Sequence, residues 1–144
     1  MNKRDYRYFE MARQEALKSD FERFHVGCVI VYKGRVIGRG SNSDKTHPLQ
    51  KRYNKERKFN KCGAKPIKHS VHAEIAALSS IPYPIQENID WSKVKVYTFR
   101  IAPGKKLHQG CSRCCDGCMK ALRDRGICKI FYSTDDGFAE ERVF

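Results

Sequence analysis

Apolar residues recur along the chain with two periods, and the change of period marks where helices give way to strands. Over residues 3–18, Tyr8, Phe9, Met11, Ala12, Ala16 and Leu17 sit among good helix formers, which predicts an amphipathic helix. Residues 26–32 are apolar on both alternating faces, Val26, Cys28, Ile30 and Tyr32 against Val29 and Val31. Such a strand is central and covered on both sides. Lys33-Gly34 supplies a turn and residues 35–39 the second arm of a hairpin. Helical spacing returns from His72 through Ile75, Ala76 and Leu78, and Pro82 and Pro84 should stop it. A second core strand is expected over 94–99 and a helix over 116–125, with Met119 and Leu122 inward and Gly126 just past its end. A third strand follows over 127–134. Strand, helix and strand in succession predict a right-handed parallel crossover. The expected class is therefore α/β, a three-layer α/β/α sandwich in one domain spanning 1–144.

Composition narrows this reading. With 144 residues and 40% hydrophobic positions, the chain can bury a core without disulfide staples. Its longest apolar run, residues 26–32, is far short of the roughly 20 residues a membrane helix needs. The start MNKRDYRYFE has no apolar signal core, so a cytoplasmic protein without membrane partners is expected, and its seven cysteines read as thiols or metal ligands. The formal charge is +13, and residues 45–68 hold net +8 of it: nine Lys or Arg against Glu56 alone. Tyr53 and Phe59 are interleaved there, as in surfaces that hold phosphates and stack bases. The alternative is a solvated insertion at about 44–70 that keeps the protein soluble.

Two fragments carry chemistry: His72-Ala73-Glu74, and the run CSRCCDGC from Cys111 to Cys118. Cys-x-x-Cys brings two thiols within reach of one ion, and a helix N-terminus favours the thiolate. One His and two Cys make three ligands and leave a fourth tetrahedral position for water, as hydrolytic zinc sites require. Glu74 would be the base beside that water. Residues two apart lie about 200° apart on a regular helix, so His72 and Glu74 converge only around an irregular first turn. Spacing alone allows either Cys111 with Cys114 or Cys115 with Cys118.

These stretches resemble the zinc-dependent cytidine and deoxycytidylate deaminase superfamily over nearly the whole length. The matching segments are residues 8–19, HVGCVIVYKGRVIGRGSN, HAEIAAL and CCDGCMKALRDRGICKIFYST. The resemblance implies a mixed sheet of four or five strands flanked by helices, and Zn2+ held by His72, Cys115 and Cys118. It further implies Glu74 as the catalytic proton carrier, the Ala73 carbonyl accepting from the substrate's amine, Asn42 fixing the sugar or base, and assembly into a homo-oligomer. Departures are Cys114 where relatives have proline, a long loop over 101–110, the basic insertion between Asn42 and His72, and a short tail after 134. That tail leaves little room for a last strand.

Three functions follow as expectations. The first is deamination of cytosine in a nucleotide, dCMP to dUMP or the corresponding step on CMP or cytidine. The second is deamination of cytosine or adenosine in single-stranded DNA or RNA. The third is a non-catalytic, zinc-stapled nucleic-acid-binding module. A second zinc site from His47, Cys62, His69, Cys111 and Cys114 is outweighed by free thiols and exposed imidazoles, because no spacing selects a set.

Overall fold

The computed structural model describes residues 1–56, 70–102 and 108–143. The first helix, α1 (Lys3–Ala16), starts at a capping box in which Asn2 and Asp5 satisfy each other's backbone amides. It ends two residues earlier than its spacing suggests. Strand β1 (His25–Tyr32) follows, and the turn at Lys33 and Gly34, with φ of 49° and 77°, returns the chain as β2 (Arg35–Ser41). Both turn residues are left-handed, which matches the twist of a hairpin. The remaining elements are α2 (Pro48–Tyr53), α3 (Ala73–Ser80), α4 (Tyr83–Asn88), β3 (Lys95–Ala102), β4 (His108–Gly110), α5 (Asp116–Arg125), β5 (Lys129–Ser133) and β6 (Phe138–Arg142).

The strands lie in the order β2-β1-β3-β5-β6, with β4 pairing on β3 as well. β3 and β5 run parallel through α5, as the crossover requires, and the other pairs are antiparallel. The two apolar faces of β1 separate as their alternation demands. Val29 and Val31 pack with Phe9, Ala12 and Ala16 of α1, together with Tyr97, Phe99 and Phe131. Cys28 and Ile30 pack with Ala77 and Leu78 of α3 and Met119 and Leu122 of α5. The α1 side is aromatic: Tyr97 stacks on Phe131 at 4.5 Å and meets Phe9 edge-on at 5.4 Å. Each such pair adds about 0.5–1.5 kcal/mol beyond the area it buries.

Several expectations need correction. The mixed sheet flanked by helices is as expected; among the described residues it has five strands in its main path, the last supplied by the tail as β6, and β4 adds a sixth within the long 101–110 loop. An antiparallel neighbour needs only a tight turn, here between Ser133 and Phe138, so the short tail suffices. α3 ends before Pro82 as expected, but Pro84 lies in the first turn of a further short helix, α4; Pro48 likewise opens α2. Proline is tolerated there because those amides have no intrahelical partner. Cys128 lies just before β5 rather than within it.

The basic segment divides. Lys45, Lys51, Arg52 and Lys55 are exposed, whereas Gln50, Tyr53 and Asn54 are buried against the body of the protein. Arg57, Lys58, Phe59, Lys61, Cys62, Lys65, Lys68 and His69 lie outside the described residues. No helix among the described residues is long and apolar enough to cross a membrane.

Candidate active site

The starts of two helices, α3 and α5, meet beside the ends of the interior strands where β3 finishes and β1 begins. His72 is the N-cap of α3, with extended backbone (φ −84°, ψ 157°), and so stands outside the helix. The geometric demand on His72 and Glu74 is met in this way: Glu74 is helical and His72 is not. Cys115 is the N-cap of α5, and its sulfur accepts from the Cys118 amide at 3.4 Å where a Ser or Asp oxygen would usually stand.

The structure brings His72, Cys115 and Cys118 together. His72 Nδ1 lies 3.3 Å from Cys118 Sγ and 3.5 Å from Cys115 Sγ, and the three donor atoms fall within 4.8 Å of one another. This is the one metal-competent group among the described residues. Cys111 is exposed and Cys114 is packed into the core, outside the cluster. Of the other residues weighed for a second site, Cys62 and His69 lie outside the described residues, and His47 caps α2 by accepting from the Leu49 amide.

The two cluster thiols share a proton unequally. Hydrogen bonding from Cys118 brings the Cys115 thiol down to about 3, helped against burial by His72. Cys118, holding that proton and deeply buried, is pushed up. Burial likewise raises the Cys114 thiol. A metal ion takes the place of such a shared proton, so the donor set fits a tetrahedral, thiolate-preferring ion. Glu74 is 5% exposed, and burial raises its carboxyl above the ordinary range.

Glu74, Ala73, His72 and Cys115 border one cavity of about 220 Å3. An adjoining cleft of about 450 Å3 shares Phe24, Asn42 and His72 with it.

The cytidine and deoxycytidylate deaminase zinc-binding region matches residues 2–134 of the chain. The chain belongs to this family. Zinc is therefore its metal, and the His/Cys/Cys group is the cluster able to hold it. No curated protein matches the sequence. Among solved structures, the dCMP deaminase of cyanophage S-TIM5 is similar at 19% identity and TM-score 0.56, covering 90% of this chain and 82% of that one. The same phage enzyme in complex with dCMP and dUMP gives 18%, 0.57, 90% and 81%. Cytidine deaminase of Burkholderia pseudomallei gives 15% identity and TM-score 0.60, covering 99% of this chain and 94% of that one. At these identities the likeness is one of fold.

Asn42 borders both cavities of this deaminase fold, but three hydrogen bonds tie its side-chain amide to the protein. Its Oδ1 accepts from Ser19 Oγ at 2.6 Å and the Val26 amide at 2.9 Å, and its Nδ2 donates to the Phe24 carbonyl at 3.0 Å. Asn42 thus fixes the segment carrying Phe24. His25 begins β1 beside Phe24 and is not among the residues bordering either cavity.

Three residues that sequence reasoning passed over matter here. Gln50 is fully buried and accepts from the His72 amide at 2.9 Å, so α2 braces the cluster from behind. Phe24 and Arg100 form part of the cavity wall. A lone Gln within a basic run carries no signal, since its partner is 22 positions away and set by packing.

Proposed function

We propose that the chain is a hydrolase that removes the exocyclic amine of the cytosine base in a free nucleotide, dCMP to dUMP in its simplest form. One observation carries the reading: a buried carboxyl, Glu74, stands on the wall of one cavity together with His72 and Cys115, two of the three residues of the metal-competent group that Cys118 completes. At about 220 Å3 that cavity is smaller than a usual drug-sized site, which suits one base with its sugar and phosphate towards the adjoining cleft.

His72, Cys115 and Cys118 would hold the zinc ion. When bound, zinc supplies Lewis acidity and lowers the pKa of water towards neutrality. Glu74 takes a proton from the attacking water and delivers it to ring N3. It then takes the proton of the hydroxyl now on C4 and passes it to the amine, which leaves as ammonia as the C4–N bond breaks and the C4 carbonyl forms. The Ala73 carbonyl, at the cavity wall, accepts from that amine. Asn42 holds the wall in place and contributes to the sugar side of the pocket. Gln50 fixes the backbone from which His72 projects.

The test is product analysis by mass spectrometry with the zinc-loaded protein and an E74A control. The panel comprises cytidine, deoxycytidine, their monophosphates and a short single-stranded oligonucleotide. Conversion of a monophosphate in preference to the rest, abolished in E74A, supports the reading. Conversion of the oligonucleotide alone makes the chain a polynucleotide deaminase, and inertness towards all of them returns it to a zinc-stapled binding module.

A further inference from the structure

Three arginines border the two cavities, and they are not equivalent. Arg113 is clamped by Glu141 of β6 through contacts of 2.9 and 3.1 Å, and that bidentate pairing raises its pKa further. Arg23 borders the outer cleft, whose lining also includes Glu22 and Asp44. Arg100 has no carboxylate partner among the described residues. Its guanidinium carbon stands 4.3 Å from the centre of the Phe24 ring, and both side chains are half-buried at the wall of the cavity that holds Glu74.

The backbone at Arg100 is firmly held. Its amide donates to Ser133 Oγ at 3.0 Å, and its strand is paired on both sides, with Val26 and with Gly110. Phe24 is held in turn by Asn42 through its carbonyl. A guanidinium that is stacked, partly desolvated and unmatched by an acid is a charge in want of an anion. The planar fork laid on a ring presents two parallel N–H donors, the arrangement that takes a phosphate bidentately.

We propose that Arg100, laid on Phe24, binds the 5′-phosphate of the substrate and makes this chain select a nucleotide over the corresponding nucleoside. The proposal rests on the nucleotide-deaminase reading and names the group that sets its specificity.

The experiment separates binding from turnover by using the reaction product. Calorimetry with the zinc-loaded full chain compares dUMP with deoxyuridine in the wild type, R100A, R100K and F24A, with K33A in the distant hairpin turn as control. The ratio of kcat/KM for dCMP to that for deoxycytidine is measured in parallel. The wild type is expected to favour dUMP by roughly 10- to 100-fold, the range of a charge-assisted bidentate contact. R100A should erase that preference, R100K should restore part of it, F24A should weaken it several-fold, and K33A should leave it intact.

A dUMP preference that survives R100A overturns the proposal, as does tighter binding of a short oligonucleotide than of dUMP. A wild type that favours dUMP through Arg100 yet deaminates nothing upholds the phosphate site and refutes the deaminase reading. Equal affinity for dUMP and deoxyuridine in an active wild type does the reverse.

Discussion

Glu74 lies in the first turn of α3 and the two cluster cysteines at the start of α5, and their substitutions should fail in different ways. Glu74 is not one of the three donors that converge on the metal position, so E74Q should keep its zinc while kcat falls by about 10²–10⁴-fold, the range of a positioned proton carrier. Metal analysis alongside steady-state kinetics would decide; loss of zinc in E74Q would make it a ligand instead. C115S and C118S should lose zinc stoichiometrically, and C111S, whose thiol is exposed and outside the cluster, should not. Retention of full zinc by both C115S and C118S would sink the ligand register. The sequence left that register open between two overlapping Cys-x-x-Cys pairs. Tertiary packing separates them, because Cys114 turns into the core beneath α5 while Cys115 caps the helix.

At the scale of elements, the site depends on how closely α3 approaches the sheet. A Cβ on Gly40 of β2 would lie 2.5 Å from the Ala77 amide and 2.7 Å from the Ala76 side chain, so α3 must shift to admit one. G40A should therefore cost about 3 kcal/mol in urea unfolding. It should also lower turnover in the protein that still folds, because the displaced helix carries Glu74 and is capped by His72. Unchanged stability would mean that α3 does not rest on this strand. The sequence marks Gly40 only as a glycine in a strand and says nothing of the helix above it. The α2 element is a similar case: its exposed Lys51 and Arg52 read as a charged loop, while Gln50 and Tyr53 on the other face hold His72 and Asp124.

At the scale of the whole molecule, α1 is fastened to the sheet by one buried polar contact, Tyr97 donating to Asp5 at 2.5 Å. Burial pulls the Asp5 carboxyl upward, but the Tyr97 hydroxyl, the Asn2 amide and Lys95 outweigh it and set its pKa below the usual value. A depressed carboxyl stabilises the fold fully above the unfolded value of about 3.9. That contribution is lost as pH falls through the folded value. Stability measured against pH should therefore drop in this acid range, and D5N should flatten the drop; an unaltered profile in D5N would assign the acid sensitivity elsewhere. On the other face, the cluster ties the start of α3 to the start of α5, which share one core. Chelating zinc should lower Tm by on the order of 10 °C, because a ligand bound only by the folded state stabilises it by mass action. An unmoved Tm would show that the helices hold each other without the metal.

Hydrophobic periodicity, with its turn residues, determined the central strands, their flanking helices and the crossover of this protein, because which faces are buried is written locally in the alternation of side chains. The His-x-Glu and Cys-x-x-Cys spacings likewise determined the candidate chemistry, since each needs only neighbours along a turn. Tertiary structure alone decided which cysteines face His72, that Gln50 braces it, that the tail closes the sheet as β6, and that Arg100 meets Phe24 beside Glu74. Those contacts join residues far apart in the chain, and burial and charge balance select them only once the layers have packed.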